Sequence, residues 1–535
     1  MTVLLLGDQV LADRGPLVEN PAAPVLVIEA RSFAARLPYH PHKLTLVVSA
    51  MRHRRDELRA AGRTVHYHEV ETFRDGFEAH AERRPGDSLV CMRPATHGAA
   101  DRLADLAADA GLALRFVPDE RFCCDAATFD DWAGERETYR HGDFYRYLRR
   151  ETGYLMTGGE SGDEEPVGGS WTFDEENRQT PPADWEAPPV PAFEPDEVTE
   201  TVQREFTAEV RGWAPGDAPS GMGGPDADEP SRESTDHEDA RTTWAAPADF
   251  RWPVTRAQAL EALSHFVEHR LPAFGQYQDA MLDDEWALAH SLLAAPINLG
   301  LLHPEECIEA AVDAWERDAA PLQSVEGFVR QLLGWREFLR HVYRREMPAL
   351  ATANRFEADE PLPPAYWTGE TDMACLRHAV QGVRERGYAH HIQRLMVLSN
   401  LALLLGVRPR ALNRWFHAGF VDAFHWVTTP NVVEMGLSAA GAFATKPYAA
   451  SANYVDRMSD HCAGCAYDHD AATGEDACPL NALYWDFLDR HEEALRPGGR
   501  MALVYSHLDD RDAQEVAALR DRAAKLRAGA RAGEL

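Results

Sequence analysis

The chain has 535 residues, 45% of them hydrophobic, and 87 acidic residues against 54 basic ones give it a formal net charge of −33. That length and apolar content exclude a disordered chain and suit two or three domains with buried cores. No run reaches the roughly 20 apolar residues a membrane span requires, and the eight cysteines are too few for a disulfide scaffold, so a soluble, cytoplasmic monomer with no membrane partner is expected.

Residues 1 to about 120 alternate short apolar runs with helical patterns: VLLLG from Val3, VLVIEA from Val25, LTLVVS from Leu44, TVHYHEV from Thr64, SLVCM from Ser88 and LALRFV from Leu112. Strand signals separated by helix signals such as MRHRRDELRAAG predict a Rossmann-like parallel sheet of about five strands over residues 1–125. Neither GxGxxG nor GxxxxGK[ST] occurs there, so an ordinary dinucleotide or P-loop site is not indicated. Residues 126–252 read as a connector. Within it Ala214 to Ala240 carries eight acidic residues and one arginine, the composition of a disordered acidic insert.

Residues 253–535 read as a large all-α domain. RAQALEALSHFVEHRL, DEWALAHSLLAAPINLGLL, VEGFVRQLLGWREFLRHVY, DMACLRHAVQGVRERG and AHHIQRLMVLSNLALLLG all repeat apolar residues at three-to-four spacing. Near its end, Cys462-Ala-Gly-Cys465 is followed by Cys478-Pro479. Two thiolates separated by two residues reach one metal, and a Cys-Pro ending is frequent at iron-sulfur sites. Four thiolates also suit structural zinc, and spacing alone leaves iron and zinc even. Cys375, near a helix start, is the best fourth ligand; His461 is the alternative, although a histidine beside a ligand is more often a surface residue. Cys91, Cys123, Cys124 and Cys307 read as core thiols.

The run from Gly387 to Phe416, VDAFHWVTTPNVVEMG, TKPYAASANYVDRMSDHCAGC and ACPLNALYWDF together resemble the iron-sulfur bacterial cryptochrome and photolyase family. LGDQ at Leu6, SAMRH at Ser49, FYRYLRRETGYLM, PVGG at Pro166, FGQYQDAML and QLLGWREFLRHVY extend the likeness over nearly the whole chain outside the acidic insert. The resemblance implies the photolyase/cryptochrome architecture, a light-driven FAD enzyme repairing pyrimidine (6-4) photoproducts in UV-damaged DNA, and a 4Fe-4S cluster on Cys375, Cys462, Cys465 and Cys478. It decides for iron where spacing did not.

The same resemblance distributes roles. Taken alone, the His390-His391 pair is best read as a satisfied helix face. The family's (6-4)-specific members carry histidine at the position of His391, which makes it the expected proton donor, with His390 its neighbour and Trp335 and Glu337 facing the lesion. Phe274, Gln278, Asp279, His290, Ser291, Leu292 and Leu293 are expected at FAD, the last four at a helix start suited to phosphate. Asn298, Arg394, Asp422 and Asn431 are expected around the isoalloxazine, Arg394 and Asp422 as an ion pair, with Lys446 and Tyr448 nearby. Trp415 and Trp367 match an electron-transfer chain, although Phe416 replaces a usual tyrosine and Thr428 a usual glutamate. Asp8, Lys43 and Leu46 are compatible with a 6,7-dimethyl-8-ribityllumazine antenna, while Phe33 and Arg36 depart from its pattern. The alternatives are a cryptochrome-like photoreceptor without repair, and a light-independent nucleic-acid protein, since the cluster domain also resembles that of primase large subunits.

Only Lys43, Lys446 and Lys525 are lysines. An acidic surface nearly free of lysine suits concentrated salt, where the Debye length falls to about 3 Å. The same charge argues against nucleic-acid binding by counterion release, an objection that weakens in high salt. Dialysis into low salt is therefore expected to lower the thermal unfolding midpoint; an unchanged midpoint contradicts a salt-adapted surface.

Overall fold

Five strands form one parallel sheet in the order β3-β2-β1-β4-β5: β1 (Thr2–Leu5), β2 (Val25–Ala30), β3 (Val65–Val70), β4 (Ser88–Met92) and β5 (Ala113–Val117). The computed structural model describes residues 1–158, 165–210, 244–444, 446–499 and 501–535; the acidic insert predicted at 214–240 lies outside them. Both faces of the sheet are covered, as parallel sheets require. Val3, Val25, Val27 and Val90 pack against Met51 and Leu58, and Leu4, Leu26, Ile28 and Leu89 pack against Phe77 and Leu103. At Gly76, in the helix Phe73–Arg83, a Cβ would come within 2.6 Å of the Ile28 side chain, so this helix lies close on β2 only because no side chain intervenes.

The run LTLVVS is not a strand. It lies inside the helix Pro41–Ala60, which starts with proline in its first turn and the His40 ring accepting the His42 N–H at 3.1 Å. Its apolar residues are continuous because several of its faces are buried. Leu44 and Val48 meet Tyr39, Val202 and Phe206; Leu46 and Ala50 meet Val10 and Phe129; Met51 meets the sheet. Burial on several sides removes the 3.6-residue signal that marks a one-sided helix.

This helix also joins the two domains. The Lys43 ammonium donates to the main-chain carbonyls of His417 and Ala423, both at 2.6 Å. The residues expected at an antenna are thus occupied otherwise: Lys43 crosses the domain boundary, Leu46 is in the core, and Asp8 accepts from the buried Arg121 at 2.8 Å. They do not meet at one open surface.

Helices Ala126–Ala133 and His141–Thr152, assigned to the connector by sequence, pack into the helical domain: Phe129, Phe144 and Leu148 share one core with Phe274, Leu333 and Phe338. The helical domain departs from its predicted elements at five places. π-helical turns occupy Phe266–Arg270, Arg330–Arg336, Gln393–Ser399 and Pro430–Gly436. The helix expected through DEWALAHSLLAAPINLGLL survives only as Ala294–Leu299, and the residues before it turn through positive φ at Leu288 (44°) and Leu292 (60°). Among the described residues, no helix is long and apolar enough to cross a membrane.

Candidate active site and metal centre

Arg394, on the second residue of a π-helical turn, pairs bidentately with Asp422, its two terminal nitrogens each 3.0 Å from one carboxylate oxygen. Its guanidinium sits 4.3 Å from the centre of the Phe420 ring, and its Nε donates to the Ala389 carbonyl at 2.6 Å. Asn298 Nδ2 donates to the Asp422 main-chain carbonyl at 3.0 Å. These predicted neighbours therefore do come together.

One turn before Arg394 the two histidines part company. His390 is fully buried and stacks on His290 with ring centres 4.8 Å apart, and Phe274 meets the other side of His290 edge-on at 6.1 Å. His391 instead keeps contact with solvent while protein surrounds it. Enclosure, then the Arg394 charge, push its imidazole down to about 4; solvent at the ring offsets part of that drop. Both ring nitrogens of His390, Nε2 of His290 and Nε2 of Gln393 are buried without a hydrogen-bond partner in the protein. Buried polar atoms are nearly always paired, so four unpaired atoms in one place fit a polar ligand such as FAD.

The loop that carries His290 is held by a residue the sequence did not single out. Arg270, fully buried, donates to the carbonyls of Ala287 (3.1 Å), Leu288 (2.7 Å), His290 (2.8 Å), Pro188 (2.9 Å) and Pro189 (3.0 Å). Ser291 Oγ accepts the Leu293 N–H at 3.3 Å, so its hydroxyl closes the turn on which Leu292 and Leu293 sit. Gln278 lies in the loop that follows Phe274, and the carboxylate of Asp279, pushed up to about 6 mainly by burial, has Arg178 3.8 Å away. Tyr448 and Lys446 are exposed on a neighbouring segment.

Trp335 is half-buried among polar and aromatic side chains. Its indole N–H donates to Asn431 Oδ1 at 3.1 Å, and its ring meets His141 at 5.0 Å and Phe443 at 5.7 Å, both edge-on. Asn431 also donates to Val427, so both ends of its amide are engaged. Phe443 is fixed by a further residue missed in the sequence: the buried Glu434 carboxylate accepts from the amides of Ala440, Gly441, Phe443 and Ala444 at 2.8–2.9 Å. Glu337 corrects an expectation. Two residues beyond Trp335, it points to another side of the helix, is fully buried, and accepts from the Cys124 amide at 3.0 Å and from Arg336 at 3.2 Å. It faces the chain just before the helix Ala126–Ala133 and is closed to solvent.

Trp415 is buried against Phe420 (5.7 Å) and Tyr366 (5.2 Å), and its indole N–H donates to the Tyr366 carbonyl at 2.9 Å. Trp367, the next residue, meets Trp244 at 5.3 Å. An aromatic file thus runs from Phe420, under Arg394, toward the domain boundary. Phe416 stacks on Phe420 at 4.8 Å, and Thr428 is buried.

The helix Ala374–Arg386 presents Cys375 to Cys462, Cys465 and Cys478, and each of these sulfurs acts electrostatically on Cys375. All four are free thiols. Burial, and then the neighbouring sulfurs, push Cys375 and Cys462 up, and burial raises Cys478. Thiolates grouped this way need a bound cation to stay ionised at neutral pH, which is the chemistry of a metal centre. His461 is not the surface residue expected but is 3% exposed.

A sheet domain joined through the Lys43 helix to a helical domain with this site is the architecture of photolyases and cryptochromes. The structure resembles a bacterial class III photolyase from Agrobacterium tumefaciens (TM-score 0.55, 16% identity, 85% of this chain and 86% of that one). It also resembles the cryptochrome of Synechocystis (TM-score 0.53, 15% identity, 82% of each chain). Residues 3–217 match the family model described as deoxyribodipyrimidine photo-lyase-related protein. The curated (6-4) photolyase of Agrobacterium fabrum is 38% identical over 517 residues, covering 94% of both chains. The chain belongs to this photolyase-related family, and with it to the photolyase-type lyases.

Replacing Arg270 by methionine leaves buried carbonyls without donors, each costing about 1–3 kcal/mol. Chemical denaturation of Arg270→Met is expected to show a loss of about 3 kcal/mol or more. A loss below about 1 kcal/mol contradicts the role given to this guanidinium.

Proposed function

We propose that this protein repairs pyrimidine (6-4) photoproducts in UV-damaged DNA under light, with FAD as its cofactor. The observation that carries the reading is the contrast on one helix: His391 open to solvent one turn before Arg394, and His390 sealed behind it on His290. A lesion taken out of the base stack needs a recess with one accessible proton donor, and His391 supplies it. The likeness to a protein named (6-4) photolyase supports the choice of lesion.

FAD, when bound and reduced, supplies a light-excited electron. The side chains named above supply the rest. Arg394 and Asp422 set the electrostatics of the ring site, with Asn298 steadying Asp422. The unpaired nitrogens of His390, His290 and Gln393 offer hydrogen bonds to the ligand, and Arg270 holds the loop that shapes one wall. Trp335, backed by His141 and Phe443, gives a flat apolar surface for a flipped base. His391 donates its proton to the lesion, so it must be protonated in the DNA complex. Trp415 and Trp367 provide a path for electrons toward the protein edge.

The four cysteines hold a 4Fe-4S cluster in this reading. The gathering of Cys462, Cys465 and Cys478 around Cys375, together with the family likeness, supports that reading.

Blue-light repair of a (6-4)-containing oligonucleotide by reduced, full-length protein tests the assignment. Wild type is expected to restore intact thymines, with a rate that falls as pH rises through the pKa of His391 in the DNA complex. His391→Ala is expected to lose about 100-fold or more in rate while still binding flavin. No repair by a flavin-loaded, photoreducible wild type contradicts the reading and favours a photoreceptor.

A further inference from the structure

Beside the four cysteines lies a second group of ligand-type side chains. Asp283 follows the flavin-side loop, His378 lies one turn after Cys375 on the helix Ala374–Arg386, and His461 immediately precedes Cys462. Their donor atoms all lie within 4.8 Å of one another. Two imidazoles converge on a single carboxylate oxygen: Nδ1 of His378 is 3.4 Å and Nδ1 of His461 is 3.3 Å from Oδ1 of Asp283. The two rings meet edge-on with centres 5.0 Å apart.

We propose that Asp283, His378 and His461 form a mononuclear site for a divalent transition metal of the zinc class, separate from the cysteine centre. Three observations carry this. First, His461 is 3% exposed, and neither of its ring nitrogens makes a hydrogen bond of ordinary geometry. A buried imidazole without a well-formed hydrogen bond is costly, and its Nδ1 lies 3.3 Å from the Asp283 carboxylate. Second, the separations are long for hydrogen bonds, although His378 and Asp283 make one at 3.4 Å, and they match those between ligands of one metal. Zinc bonds to imidazole nitrogen and carboxylate oxygen run about 2.0–2.2 Å, and the edge of a tetrahedron built on them is about 3.3–3.5 Å. Third, the donor set is chemically selective: two imidazoles and one carboxylate suit zinc and its transition-metal neighbours, whereas magnesium and calcium prefer oxygen throughout.

The setting gives the site a structural task. Asp283 is tied to the cysteine-bearing segment already, since its amide donates to Asp460 Oδ1 at 2.9 Å and Met281 donates to the Met458 carbonyl at 2.8 Å. A metal here clamps three stretches together: the end of the flavin-side loop, the helix of Cys375 and the turn of Cys462. Asp283 keeps 67% of its side chain exposed, which leaves the metal an entry path and a coordination position for water.

The test uses the full-length protein with its iron retained. Zn2+ is added anaerobically, excess is removed by gel filtration, and zinc and iron are counted per chain by mass spectrometry; affinity is read by competition with a chromophoric chelator. Wild type is expected to keep one zinc per chain with its iron unchanged. Asp283→Asn and His378→Ala are each expected to weaken zinc binding at least tenfold, also with iron unchanged. Should His378→Ala fail to fold, Asp283→Asn, altered at an exposed side chain, decides alone. No retained zinc, zinc gained only as iron is lost, or equal affinity in the folded variants overturns the site.

Discussion

The pairing of Arg394 with Asp422 is the constraint around which the rest of the site is arranged. A bidentate guanidinium-carboxylate pair has one geometry, and breaking a buried pair by removing one partner costs about 3–5 kcal/mol. Here the pair fixes the helix of His390 and His391 relative to the segment that returns at Phe420. Asn298 then locks the Asp422 backbone to the helix Ala294–Leu299, and Lys43 brings the sheet domain to Ala423 next door. Four separate stretches of chain meet at two consecutive residues. The sheet domain is thereby part of the support of the candidate site, with the Lys43 side chain donating to two carbonyls across the boundary.

How much of this was legible in the sequence depended on whether the signal was local. The strands at Val25–Ala30 and Ser88–Met92 were readable because apolar runs bounded by turns are local, and the cysteines because their spacing is. LTLVVS misled because a helix buried on several faces loses its period. The π-helical turns had no signal: Trp335, Arg394 and Asn431 all lie on them, where an extra residue in the turn shifts the direction of a side chain without altering composition. Arg270 and Glu434 escaped notice for another reason. Each satisfies main-chain groups, four or five at a time, and a main-chain partner leaves no mark in the sequence. Glu337 was misplaced because likeness to a family transfers a residue type more safely than a direction.

The cysteine corner shows the same division. The spacing Cys462-x-x-Cys465 is local and was readable, whereas Cys375, far away in the chain, joins it only in the fold. His461 was set aside as a neighbour of a ligand, and only the fold places it, buried, beside Asp283 and His378, 178 and 83 positions away in the chain. Local spacing finds sites built by one segment. Sites built by three segments appear only in the fold.

In the proposed function the flavin site depends on the Arg394–Asp422 pair and not on the four cysteines. Flavin and iron content of purified Arg394→Met, measured by absorbance and mass spectrometry beside wild type, tests it most directly. Arg394→Met is expected to lose most of its FAD while its iron content stays at the wild-type value. Full flavin occupancy in that variant, or loss of iron together with flavin, would contradict it.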